Sequence, residues 1–316
     1  MSDRLPVIIA HRGACAYLPE HTLAAKALAH GMGADYLEQD IVLTRDAVPI
    51  VLHDIYLEST TDVADKYPKR SRPGGHFYAM DFDLAEVKTL TVHERRRGSA
   101  PVYPHRFPAD IALFSIPTLA EELSLVAGLN TSRRTETGVY IELKSPNRHR
   151  QAGLDIESAV LQALADSPFA NRPDQVFLQC FDDKTLQSLH HQHNTPYPLI
   201  QLIGHHTWQE DTEADFDALR SPDGLASIAS YAAGIGPWLP HVYLGRNETG
   251  QHLLSSLVED ARHHDLLVHP YTFRCDELPD GINSPIELLD ILFNELGVDG
   301  LFTDFTDVVR DYLQGR

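Results

Sequence analysis

The sequence predicts an α/β protein, a (β/α)8 or TIM barrel with an insertion after the second strand, and three observations carry that expectation. Short apolar, β-branched runs alternate with amphipathic stretches, which implies a parallel sheet with helices packed on it. Eight such runs recur, the number a closed barrel requires. The chain has 316 residues, enough for one barrel and an insertion.

Taken in order, residues 6–11 are short and rich in β-branched side chains, as a buried strand should be. Thr22 is placed to cap a helix running through His30, and Gly31 to end it. Residues 34–43 read as a second strand, with 34–40 in the barrel, and 48–53 as the return arm of a hairpin. The remaining strands are expected at 139–143, 176–181, 199–203, 232–236, 266–270 and 299–303. Helices separate most of them, one starting near Pro117-Thr118 and others over 156–165, 253–263 and 286–296. Residues 55–116 are rich in Pro, Gly, Arg, His and Tyr, with weak periodicity. They are expected to lie over the barrel mouth, as an insertion within one catalytic domain spanning 1–316, because long irregular connections are usually functional.

Composition narrows the function classes. The chain is 43% hydrophobic and 22% charged, which excludes disordered, collagen-like and coiled-coil proteins. No apolar run is long enough to span a membrane. The net charge of −19 argues against nucleic acid as a partner. An anionic substrate must then be attracted by a local device, a metal or an arginine. Cys15, Cys180 and Cys275 share no close spacing, so no disulfide framework is expected. The amino terminus lacks the shape of a signal peptide, and the chain as it stands is expected in the cytoplasm, or in the periplasm if an export signal was removed. Oligomeric state is left open.

Catalytic groups of barrel enzymes sit at the carboxyl ends of the strands. His11 and Arg12 end the first strand, and Glu38 and Asp40 end the second. Strand alternation sends Glu38 and Asp40 to one face and Gln39 to the other. Two carboxylates so spaced form half of a hard-cation site, of the Ca²⁺ or Mg²⁺ kind. With the hairpin centred on Arg45-Asp46, Glu38 faces His53 and Asp40 faces Val51; an odd-length loop would bring Asp54 there instead. The even register is preferred. Glu142 and Lys144 end a third apolar strand, where a buried glutamate needs a partner or a metal. Three carboxylates, two imidazoles, an arginine and a lysine suit phosphate-ester cleavage. Phe181, Trp238, Tyr271 and Phe302, near strand ends, are candidates to line the pocket for the organic part of a substrate, and Tyr78, Tyr103 and Phe107 to cap it. The histidines at 190–193, 205–206 and 263–264 match no zinc spacing and read as solvated surface. Neither a phosphate-cradling glycine loop nor a nucleophile-elbow serine is present.

In combination, Ile9-Ala10-His11-Arg12-Gly13-Ala14, Pro19-Glu20-His21-Thr22, Tyr36-Leu37-Glu38-Gln39-Asp40 and Leu52-His53-Asp54 resemble the glycerophosphodiester phosphodiesterase family, most closely its bacterial periplasmic type. The likeness continues through Phe177-Leu178-Gln179-Cys180-Phe181-Asp182, Val268-His269-Pro270-Tyr271-Thr272 and Gly300-Leu301-Phe302-Thr303-Asp304-Phe305. It implies hydrolysis of glycerophosphodiesters to glycerol 3-phosphate and an alcohol, with one divalent cation, Ca²⁺ or Mg²⁺. By motif position His11 and His53 are the acid–base pair. Glu38, Asp40 and Glu142 are metal ligands, while Arg12 and Lys144 lie at the phosphate. The implied partner is a small glycerophosphodiester. Many relatives carry asparagine where His21 stands. Two competing expectations are a sphingomyelinase D-like phospholipase and a binding or adhesion protein on the same barrel.

Overall fold

The computed structural model describes residues 5–315. Nine strands form its main sheet: β1 (Val7–Ala10), β2 (Tyr36–Leu43), β3 (Pro49–Val51), β4 (Gly138–Leu143), β5 (Val176–Cys180), β6 (Leu199–Ile203), β7 (Gly234–Pro237), β8 (Leu267–Val268) and β9 (Gly300–Thr303). Eight of them run parallel in the order β8-β7-β6-β5-β4-β2-β1-β9, and β3 pairs antiparallel with β2. Backbone bonds bridge the ends of this order, from Asp299 N to Val268 O (3.1 Å) and Phe302 N to Pro270 O (3.0 Å), so the sheet curls into a nearly closed (β/α)8 barrel. Helices α1 (Leu23–Gly31), α2 (Leu119–Arg133), α3 (Ile156–Ala165), α4 (Asp183–His191), α5 (Pro222–Ile228), α6 (Leu257–Arg262), α7 (Pro285–Asp290) and α8 (Thr306–Gln314) each follow a barrel strand.

The strands are buried on both faces, as parallel sheets covered by helices require. Ile9, Tyr140, Phe177, Ile200 and Phe302 fill the barrel interior. A larger apolar cluster lies between sheet and helices. Gln39 points outward as alternation demands, donating to Glu122 of α2 (2.9 Å), while Glu38 and Asp40 point inward. Side-chain caps start helices where the sequence places them. Thr22 accepts from Ala25 N (3.1 Å), and Thr118 and Glu121 form a reciprocal capping box.

Two local expectations are corrected. The hairpin register pairs Ile41 with Val51, Val42 with Ile50 and Leu43 with Pro49, so the odd alternative holds. A three-residue loop makes it odd: Thr44 N bonds Val48 O, and Ala47 takes the left-handed conformation (φ 59°). The ladder also ends at Val51, so register no longer dictates where His53 points. The expected helix over 253–263 begins only at Leu257. His252–Leu254 is instead a strand, paired with Tyr243–Arg246 around a tight turn at 247–250.

Residues 55–116 carry only helices of three or four residues and two-residue strands, and fold on a second apolar cluster in which Leu57, Phe77, Phe82 and Val87 pack with Val42, Ile50 and Leu52 of the hairpin. Among the described residues, no helix is long and apolar enough to cross a membrane.

Candidate active site

At the carboxyl end of the barrel a cavity of about 320 Å³ opens, lined by every acid–base, phosphate and metal candidate read from the sequence, His11, Arg12, Glu38, Asp40, His53, Glu142 and Lys144, and by the aromatics Phe181, Tyr271 and Phe302. Trp238 lines it as well. Tyr78, Tyr103 and Phe107 do not. Phe107 packs on Phe114 and Tyr78 on Tyr56, inside the insertion.

The turn after β1 presents the first residues. His11 N bonds Thr303 O (2.9 Å), tying the strand end to β9. Arg12 then takes a left-handed conformation (φ 58°), which aims its N–H at Glu38 Oε2 (2.6 Å). Gly13 follows at φ 90°, where a Cβ would sit 2.8 Å from the carbonyl carbon of Ala25 in α1. Glycine is needed there both for the dihedral and for the close approach.

Each histidine is held by a carboxylate. His11 Nδ1 is 2.6 Å from Asp304 Oδ1, and His53 Nδ1 is 2.6 Å from Asp54 Oδ1. Such a bond fixes the ring and leaves Nε2 for the cavity. The carboxylates are themselves anchored. Asp304 meets Arg106 and Arg274 at 2.8 Å each, and Asp54 meets Arg95 (2.7 Å) and Ser59 (2.5 Å). Burial, reinforced by Arg12, lowers His11 to about 4; burial, Arg12 and Lys144 lower His53 to about 3. Burial works against Asp304 ionising, yet Arg274, His11 and Arg106 hold it well below the usual carboxylate range.

The three acidic groups line the same cavity. Asp40 and Glu142 are register neighbours on β2 and β4. Burial together with the Asp40 charge pushes Glu38 well above the ordinary range, and burial does the same to Glu142. Asp40 stays well below it, since His53, Lys144 and His21 outweigh its burial. Lys144 Nζ binds Glu142 (2.7 Å) and lies 3.9 Å from Asp40. Asp40 Oδ1 is buried with no hydrogen-bond partner. Hard oxygen donors, mutual repulsion and an orphaned carboxylate oxygen are the conditions a divalent cation satisfies. Among the described residues, His21, Glu38 and Asp40 already bring potential ligand atoms within 4.8 Å of one another; Glu142 is outside that group. His21 uses its Nε2 on Asp40 (2.7 Å), so it reads as the group that orients Asp40.

Sequence reasoning missed these supports. Asp304 and Asp54 each lie one residue beyond a strand end or a site histidine, and that position was the available signal. Arg106 lies in Tyr103-Pro104-His105-Arg106-Phe107-Pro108, a stretch that shares the family resemblance without showing a role, and Arg95 had no such signal; both reach the site from the insertion. Gln179, Trp208, Glu210, Thr272 and Arg274 also line the cavity. Cys15 is buried, its thiol pushed up by burial, and all three cysteines are free, as their spacing predicts.

Residues 11–308 match the sequence model of the Glycerophosphoryl diester phosphodiesterase family. A glycerophosphodiester phosphodiesterase of Haemophilus influenzae is 37% identical over 327 residues, covering 98% of this chain and 90% of the relative. One from Treponema pallidum is 35% identical over 330 residues, covering 99% of this chain and 92% of its own length. A phosphodiesterase of Oleispira antarctica, solved in complex with the product sn-glycerol-3-phosphate, shares the fold at a TM-score of 0.64 and 21% identity, over 98% of this chain and 97% of that one. Since the family match starts at His11 and runs into the first turn of α8, and such relatives align over nearly the whole of this chain, the chain belongs to the glycerophosphoryl diester phosphodiesterase family.

Proposed function

We propose that the protein hydrolyses glycerophosphodiesters to glycerol 3-phosphate and an alcohol, with His11 and His53 as the acid–base pair. One observation carries this reading: two imidazoles in one cavity, each held at Nδ1 by a carboxylate, with three acidic side chains lining the same cavity. The names of the Haemophilus and Treponema relatives, and the product bound to the Oleispira protein, support the same substrate class.

Glu38, Asp40 and Glu142 would hold one Ca²⁺ or Mg²⁺ ion, which when bound neutralises charge on the phosphate oxygens. Arg12 and Lys144 add fixed positive charge against the −19 of the whole chain. In this reading the 2-hydroxyl of the glycerol attacks phosphorus, because a neighbouring group is already positioned. His53 takes the hydroxyl proton while His11 gives a proton to the departing alkoxide. Water then opens the cyclic phosphate with the two roles exchanged. Asp54 and Asp304 stabilise each imidazolium as it forms.

Incubation with glycerophosphocholine and either cation should release glycerol 3-phosphate. Absence of release with both cations, on this and on other headgroups, would overturn the reading in favour of a binding protein.

A further inference from the structure

The cavity has two unlike halves. His11, Arg12, Glu38, Asp40, Glu142 and Lys144 come from β1, β2 and β4, whereas the opposite wall is built by residues that follow β5 to β8. That wall is mainly aromatic, and the one guanidinium that follows β8 on it, Arg274, is paired with Asp304 (2.8 Å). Trp208 and Trp238 meet edge to face at 5.0 Å, Trp208 lies 6.4 Å from Tyr271, and Tyr271 lies 6.1 Å from Phe181. Gly204 lets the wall close, for a Cβ there would come 3.1 Å from both Phe181 and Trp208. The Tyr271 hydroxyl is spent on Ile203 O (2.9 Å), so its contribution to the cavity is its ring. Trp208 remains 38% exposed, an open aromatic face at a cavity rim rather than a packed core residue.

Glu210 lines the same wall, two residues after Trp208. Among the described residues its carboxylate makes no side-chain hydrogen bond or close ion pair, and the cation its charge acts on is Lys144, which lines the same cavity. Aromatic faces with a nearby carboxylate recognise alkylammonium groups, through the ring quadrupoles and one opposite charge.

Resting on the phosphodiesterase reading above, we infer that Trp208, Trp238, Tyr271 and Glu210 form a headgroup subsite for a cationic alcohol, a choline-like quaternary ammonium. A diester seated between the two histidines sends its two arms in different directions. The glycerol, with two free hydroxyls, suits the polar half. The leaving alcohol then extends along the aromatic wall, where a cation finds ring faces and the Glu210 charge.

The test compares kcat/KM for glycerophosphocholine with that for its uncharged isostere, the 3,3-dimethylbutyl ester of glycerol 3-phosphate, on the full-length protein with saturating Mg²⁺ or Ca²⁺. The two esters match in size and shape and differ in charge. The wild-type ratio is expected to be about tenfold or more in favour of choline. Glu210→Gln and Trp208→Leu should each cut that ratio at least about threefold, while Trp208→Phe, which keeps a ring, should retain most of it. A wild-type ratio near one, or a ratio that both variants leave intact, overturns the subsite while the phosphodiesterase reading stands. If neither ester nor glycerophosphoglycerol is turned over, the underlying reading falls and the subsite with it.

Discussion

Arg12 has one edge of its guanidinium on Glu20, through Nη1 at 3.2 Å to both carboxylate oxygens, while its buried Nε has no hydrogen-bond partner. A planar group so held can present a second donor edge to a phosphate, which an ammonium cannot. Arg12→Lys is therefore expected to lower kcat/KM by about 1.5–3 kcal/mol, the worth of a charge-assisted bond, or about ten- to a hundredfold. Unchanged efficiency would take Arg12 out of the phosphate site. For the histidines, alanine at His11 or His53 should cost on the order of 10²–10⁴ in rate with the fold intact. The wild-type pH–rate profile should be a bell, and each variant should lose one limb of it. Two full bells would mean that the acid–base pair is elsewhere.

The turn between β1 and α1 couples stability to the site. Gly13→Ala forces a side chain into the left-handed region and against the backbone of α1, at 2.8 Å from Ala25 C. It should destabilise by about 1–3 kcal/mol in urea unfolding and weaken turnover too, since His11 and Arg12 precede it. Wild-type stability in that variant would show that α1 yields to the added methyl. A second consequence belongs to the barrel interior. His269, just beyond β8, lies 3.0 Å from the Tyr140 hydroxyl of β4, and burial lowers it to about 4. The unfolded chain then binds a proton near pH 6.5 that the folded barrel refuses until pH 4. Its contribution is complete above pH 6.5 and is lost as pH falls through that window, by at most about 3 kcal/mol. Comparing urea midpoints from pH 7 to 4, His269→Gln should flatten the decline relative to wild type. Parallel curves would show that His269 is protonated in the folded state.

At the scale of the molecule, the acidic cluster links β2 to β4, so a cation bound there stabilises the barrel as well as the reaction. At a hundred times its Kd a ligand adds about 2.7 kcal/mol, enough to raise Tm by several degrees. Ca²⁺ or Mg²⁺ should produce such a rise, and excess chelator should abolish both the rise and the activity, reversibly. Glu38→Gln should behave differently: without metal it replaces a carboxyl whose ionisation burial and Asp40 already oppose, so the apo Tm should not fall, while the metal response disappears. Full turnover in chelator would defeat the carboxylate assignment.

Strand alternation and burial are local properties, and they were legible in the sequence alone. They are why eight strand positions, the inward Glu38 and Asp40, the outward Gln39 and the caps at Thr22 and Thr118 could be read without coordinates. Where a single residue's conformation tips the balance, the reading slipped. Ala47 in a left-handed conformation turned the hairpin odd, and the 247–250 turn made a strand of His252–Leu254. The strand-end residues read from the sequence also meet in one cavity, since strand ends converge once a barrel closes. What only the tertiary structure decided is the set of partners that close the barrel brings together across the chain. Asp304 reaches His11 from 293 residues away, Arg95 and Arg106 arrive from the insertion, and Trp208 and Glu210 from a loop after β6. No periodicity encodes such contacts, because they depend on closure of the barrel and not on the spacing of neighbours along one strand.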